Sequence, residues 1–332
     1  MRFIRYLISI SLLMPVLLAG WMLYFTMTPL QLPAAQTEVD LKAGSSLRAV
    51  SRQLVQQGVL SEPWSFMALV RLTGKAGDIK AGNYVIADGT TPYALFEMLT
   101  NGDTTMASVT FIEGWTFDQM RTAMTRNEAI KHVSMGYTEA QILAEIGGTG
   151  QEAEGLFFPD TYYFSRGMTD IDILKRAYHA MQTRLAQAWE KRAPGLPYAT
   201  PYEALIMASI VEKETGRGDE RPMIAGVFVN RLRIGMRLQT DPTVIYGMGE
   251  RFDGNLRRQD LLTDTPYNTY TRANLPPTPI AMPGLASIEA ALHPAQTKAL
   301  YFVGKGDGSH AFSSSLAEHN RAVARYQLRK RP

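Results

Sequence analysis

The hydrophobic pattern of the chain changes character twice. From Tyr6 to Met27 it is apolar almost without interruption, and no charged residue falls between Arg5 and Glu38. This run predicts one helix of about 22 residues, roughly 33 Å long at 1.5 Å per residue, enough to cross a bilayer core. Pro15 is tolerable in such a helix. Arg2 and Arg5 precede it, so the positive-inside tendency places the N-terminus in the cytoplasm. Trp21 and Tyr24 fall near the far interface, where amphipathic aromatics are enriched. The competing reading is a cleaved signal peptide. A signal core usually runs about 7–15 residues, shorter than this stretch, although Ala34 and Ala35 would suit cleavage. Under either reading, nearly everything beyond residue 30 is exported.

Residues 28–36 form a Pro- and Gln-containing linker. From 37 to 104, short strand and helix signals alternate. Val39 and Leu41 predict a strand. Leu47, Val50 and Leu54 make a helical stripe opened by Ser46 and stopped by Gly58. Ser61 opens a second helix carrying Trp64, Phe66, Met67 and Val70, stopped at Gly74. Residues 79–86 return as a strand, and Thr91 caps a helix with Leu95, Met98 and Leu99 on its apolar side. The strand followed by Gly44-Ser45-Ser46-Leu47 and a helix resembles a LysM module, which binds N-acetylglucosamine-containing glycans. A small structural spacer would carry the same pattern.

The remainder, 105–332, is larger and mixed. Residues 108–112 predict a strand, followed by Glu113-Gly114-Trp115-Thr116 and a helix. Residues 154–162 read as an aromatic loop. A long amphipathic helix over 170–192 ends at Pro194-Gly195, and helices follow over 202–215 and 221–233. A stretch rich in Pro, Gly, Asn and Thr then runs from Gly235 to Gly284, and long irregular segments inside compact domains are often functional. A short helix over 287–292, a strand over 299–303, a turn over 304–308 and a basic helix through Arg331 complete the chain. The expected fold class is α+β. It comprises a cytoplasmic flank (1–5), an N-terminal transmembrane helix (6–27), a small LysM-like α+β module (37–104) and a larger mixed α+β domain (105–332).

Composition narrows the chemistry. The 332 residues carry 34 Lys and Arg against 31 Asp and Glu, a net charge of +3. Arg2 and Arg5 supply two of the three excess charges. The exported part is therefore nearly neutral, and nucleic-acid binding loses its compositional support. With 45 % hydrophobic and 20 % charged residues, a largely disordered chain is excluded. The absence of cysteine removes disulfide frameworks, thiolate metal sites and cysteine nucleophiles. His132, His179, His293, His310 and His319 show no metal-ligand spacing, and no cofactor is expected.

The segment with most chemical content begins at Thr200-Pro201-Tyr202-Glu203, a capping box with proline at the first helical position. The helix that follows, from Ala204 to Val211, is apolar almost all round and so predicted to be buried. It ends in Glu212-Lys213-Glu214. Residues two apart on a helix point about 200° apart, so the two carboxylates cannot share one site. Geometry alone does not choose between them. Either can be a solvated end-of-helix charge or the partner of Arg217, Arg231 or Arg233. A carboxylate at a helix C-terminus is disfavoured by the dipole, and apolar neighbours add to this, which suits a general acid.

Several segments together resemble one family. They are Ala208-Ser209-Ile210-Val211-Glu212-Lys213-Glu214-Thr215, Val227-Phe228-Val229-Asn230-Arg231-Leu232, and Met236-Arg237-Leu238-Gln239-Thr240-Asp241-Pro242-Thr243 through Gly247. Tyr267-Asn268-Thr269-Tyr270, Leu275-Pro276-Pro277, His319-Asn320 and the 154–162 loop fit the same pattern. The chain is thereby similar to the endolytic murein transglycosylase (YceG-like) family over its whole length. It departs from the family at Pro277-Thr278-Pro279-Ile280, Met282-Pro283-Gly284 and Gly216.

The resemblance implies a membrane-anchored lytic transglycosylase of the bacterial inner membrane, with its C-terminal domains in the periplasm. Its substrate would be peptidoglycan glycan strands, and its partner a cell-wall synthase complex. It implies that Glu214 is catalytic, and that Asn230, Gln239, Asp241, Asn268 and Tyr270 line the glycan groove. Two other classes stay open. One is a hydrolytic muramidase using Asp160, Asp241 or Glu212 as second carboxylate. The other is a non-catalytic glycan-binding scaffold.

Overall fold

The computed structural model describes residues 2–34, 36–102, 106–150, 152–165 and 167–328, with side chains described outside 2–13, 16, 36, 106 and 165. The chain forms two compact units. One comprises Met1–Ala107 with Tyr163–Gly167, the other Ser108–Tyr162 with Met168–Pro332. Within the first, helix α1 (Arg2–Met27) contains Pro15. Among the described residues no helix is long and apolar enough to cross a membrane. The side chains of Arg2, Arg5 and residues 6–13, on which much of the expected anchor rests, lie outside those described.

The rest of the first unit follows the sequence signals. Strand β1 (Gln36–Leu41) pairs antiparallel with β2 (Gly82–Ala87), with Val39 opposite Tyr84. Between them lie α2 (Leu47–Gln56) and α3 (Trp64–Leu72), and α4 (Pro92–Asn101) follows. Ser46 and Thr91 accept the Ala49 and Ala94 N–H groups as predicted caps. Helix α3 differs from expectation: its free N–H groups go to the Glu62 carboxylate rather than to Ser61. The core gathers Val39, Leu54, Phe66, Val70, Tyr84, Ile86 and Leu99, with Met22 and Phe25 of α1 packed against it.

Strands β3 (Met106–Thr110) and β4 (Thr161–Ser165) form a two-stranded sheet. In the second unit, α5 (Phe117–Thr125) and α6 (Glu139–Glu145) both start with reciprocal capping boxes, at Thr116/Gln119 and Thr138/Gln141. Next come α7 (Asp170–Glu190), α8 (Pro201–Glu214) and α9 (Arg221–Arg233). The stretch read as irregular contains α10 (Asp241–Met248) and the short α11 (Arg258–Leu262). Helix α10 starts at Asp241-Pro242, an N-terminal signal that the surrounding breakers hid. Helix α12 (Leu285–Leu292) packs against α7, α8 and α9. A hairpin of β5 (Tyr301–Gly304) and β6 (His310–Ser313) precedes α13 (Leu316–Val323). The basic end of the last predicted helix, 329–331, lies outside the described residues.

Helix α8 is the axis of this unit. Every residue from Ala204 to Val211 is buried. With α12, α9, α7 and α10 around it, its apolar surface has no outward face. Only its two ends are left for polar chemistry.

Candidate active site

Burial on all sides brings the tip of α8 out at one wall of a cleft of about 490 Å³. Glu214 lines it with Arg231, Gln239, Asp241, Tyr270, Tyr301, His310 and His319. Burial is the main force on the Glu214 carboxyl and raises its pKa. The hydrogen bond that Thr240 Oγ1 donates to Oε1 acts in the opposite direction, the charge of Asp241 adds to the rise, and His310 and Arg231 oppose it. The net direction is upward, toward a carboxyl that keeps its proton. Thr240 is itself held: its N–H donates to Thr269 Oγ1 at 3.1 Å and its carbonyl accepts from Thr243 Oγ1 at 2.8 Å.

Glu212 goes elsewhere. Its Oε2 accepts the Gly284 N–H at 3.0 Å, and its Oε1 meets Arg221 at 3.4 Å. Its side chain is 6 % exposed and Arg221's is 14 %. Glu212 thus staples the end of α8 to the start of α12. Lys213 ties the same end of α8 to the loop before α5 by donating to the Gly114 carbonyl at 3.1 Å. The ambiguity between the two glutamates resolves physically: one is tied into the scaffold, the other is in the cleft.

The groove residues expected from sequence divide in the same way. Gln239, Asp241 and Tyr270 line the cleft with Glu214. Tyr270 Oη donates to Asp241 Oδ1 at 2.5 Å. Gln239 adopts φ +49°, a left-handed conformation costly for a side-chain-bearing residue. Asn230 and Asn268 are not brought to the cleft. The Asn230 amide donates to the Thr297 and Ala299 carbonyls at 2.8 and 3.1 Å, tying α9 to the approach to β5. Asn268, fully buried, donates to the carbonyls of Asp260, Leu261 and Thr263, and its Oδ1 accepts the Tyr270 N–H at 2.8 Å. It shapes the loop that presents Tyr270. Asp160 is exposed, 3.7 Å from Arg184, and outside the cleft lining.

Four contributors are not among the expected site residues, although Thr240, Arg231 and His319 lie in segments that carry the resemblance and Arg231 is a candidate partner for the glutamates. Thr240 donates through Oγ1 to Glu214. Arg231 is buried, with Nε donating to the Leu300 carbonyl at 2.7 Å and a terminal nitrogen to the Leu238 carbonyl at 2.6 Å. Its guanidinium lies 5.3 Å from the Tyr301 ring centroid. His319 stacks on Tyr301 at 5.2 Å, and His310 enters from the start of β6. Neither histidine has a metal-type spacing that would have flagged it.

The YceG-like family model matches residues 39–325. The chain belongs to the YceG-like family. The Bacillus subtilis protein named endolytic murein transglycosylase is 32 % identical over 87 % of this chain and 84 % of its own length. A Streptococcus pneumoniae protein of the same name is 26 % identical, and the match spans 58 % of that longer protein. The crystal structure of a YceG-like protein from Listeria monocytogenes, 30 % identical, covers 86 % of this chain and 98 % of that one with a TM-score of 0.54. The family match includes every cleft residue described above.

Proposed function

We propose that this protein is a membrane-anchored endolytic lytic transglycosylase. It cleaves the β-1,4 bond between N-acetylmuramic acid and N-acetylglucosamine within nascent peptidoglycan strands and leaves 1,6-anhydro ends. The observation that carries the reading is Glu214: a carboxyl held toward its protonated form by burial, at the wall of a polar cleft. The naming of relatives as endolytic murein transglycosylases supports the substrate.

One carboxyl suffices for this chemistry. A retaining hydrolase needs a second carboxylate as nucleophile and an inverting one needs a base for water. Here the muramoyl C6 hydroxyl is already tethered to the sugar it attacks, so proximity replaces the second group. Glu214 protonates the leaving glycosidic oxygen and then accepts the proton of the C6 hydroxyl as it bonds to C1. Residues 6–27 anchor the chain in the inner membrane with the catalytic unit in the periplasm. The LysM-like module contacts glycan, and a synthase complex delivers nascent strands.

A second reading rests on Asp241, which shares the cleft with Glu214 and would make the enzyme a hydrolytic muramidase. Mass analysis of digested glycan strands separates them. Products lighter by one water support the transglycosylase; reducing muramic ends alone overturn it.

A further inference from the structure

Beyond Glu214, one group in the cleft is oriented by a partner with no other evident task. Glu220 stands in the turn between α8 and α9 and reaches the start of β6, 90 residues on. Its Oε1 accepts the backbone N–H of His310 at 3.0 Å, and its Oε2 lies 2.6 Å from His310 Nδ1. Both side chains are largely buried, His310 16 % and Glu220 13 % exposed. An ionised carboxylate only accepts, so Nδ1 carries the hydrogen of this bond. Burial opposes ionisation of Glu220, but the two hydrogen bonds from His310, with the charges of His310 and Arg217, hold its pKa below the ordinary value. The ring is further fixed edge-on against Phe302 at 5.4 Å.

That arrangement leaves Nε2 as the ring nitrogen available to the cleft that His310 lines. In the neutral ring whose Nδ1 bears the hydrogen, Nε2 is an acceptor. Glycan strands offer hydroxyl and acetamido N–H donors, and acceptors are what a groove needs to select them. We propose that His310, oriented by Glu220, is a substrate-binding residue whose Nε2 accepts a hydrogen bond from a hydroxyl or amide N–H of the sugar beside Glu214. It rests on the glycan-cleaving reading above. His310 orients the sugar, while both proton transfers stay with Glu214.

The cleft that His310 lines also carries Glu214 from α8, Arg231 from α9, Asp241 from α10 and Tyr301 from β5, so a sugar held by Nε2 lies beside the Glu214 carboxyl.

The test is steady-state kcat and KM on purified glycan strands for wild-type protein, H310Q, H310F, E220Q and E220L, with near-UV circular dichroism to establish folding. H310Q keeps an acceptor and retains kcat/KM within about 10-fold of wild type, while H310F falls about 100-fold, the scale of a lost hydrogen bond plus an unpaired substrate donor. E220Q keeps an acceptor for the Nδ1 hydrogen and stays within about 10-fold, whereas E220L does not and falls with H310F. An H310F variant within about threefold of wild type, or an H310Q variant as impaired as H310F, overturns the proposal. If the His310 variants do not fold, the Glu220 variants decide: an E220L variant as active as E220Q overturns it. Failure of the underlying reading is separate, and shows as cleavage by E214Q or as reducing muramic ends from wild type.

Discussion

Thr240 Oγ1 donates to Glu214 Oε1, and that bond opposes the burial that raises the carboxyl's pKa. Burial wins, and Thr240 is the largest of the influences, with His310 and Arg231, that limit the rise. Thr240→Val removes the hydroxyl with little change of shape, so the Glu214 pKa rises further. The acid form then persists to higher pH. The alkaline limb of the kcat/KM–pH profile is predicted to move upward, and a limb that stays or moves downward contradicts this assignment.

Asp241 acts on the same carboxyl with the opposite consequence. Its charge raises the Glu214 pKa, so Asp241→Asn lowers it and moves the alkaline limb to lower pH. The asparagine oxygen still accepts from Tyr270, which preserves the loop contact. Activity at the optimum is predicted to fall by less than about 10-fold. Loss of the order of a thousandfold or more would instead assign Asp241 as a second catalytic carboxylate.

Glu212 is predicted to matter for stability. Glu212→Ala leaves Arg221 facing only Glu113, at 4.0 Å, and strips the Gly284 N–H of its acceptor. Breaking such a largely buried pair costs about 3 kcal/mol. Chemical denaturation of the variant checks this, and an unchanged midpoint contradicts it.

Glu154 predicts a pH-dependent stability. It is 5 % exposed, and burial pushes its pKa from 4.5 to about 7, although the Phe117 N–H and Tyr246 hydroxyl bond to it. The folded state therefore holds this proton more tightly than the unfolded chain. Its contribution is favourable at acidic pH and declines as pH rises between about 4.5 and about 7. Glu154→Gln keeps the acceptor and removes the titration. The difference between variant and wild type is predicted to grow across that window to roughly 3 kcal/mol at most, and parallel stability curves would contradict it.

The sequence carried much of this, unevenly. Local signals were legible because they act within four residues: the Ser46, Thr91 and Thr200 caps, the fully apolar α8 and the α9 boundaries all appear where the pattern puts them. Helix α10 was hidden because Gly, Pro and Asn around it outvoted its own start signal. The choice between Glu212 and Glu214 was not a local matter. It is made by Arg221, Gly284 and Thr240, brought together only by the fold. Asn230 and Asn268 were polar residues in matching segments, and nothing in their spacing reveals that their amides are taken up by backbone carbonyls. The Glu220–His310 pair spans 90 residues and has no sequence signature at all.

The proposed role of Glu214 in transglycosylation is tested most directly by mass analysis of purified glycan strands digested by full-length wild-type and Glu214→Gln protein. Wild type is expected to leave 1,6-anhydromuramic ends, and the folded variant to lose about a thousandfold or more, in line with removal of a general acid. Cleavage by Glu214→Gln at near wild-type rate would contradict it.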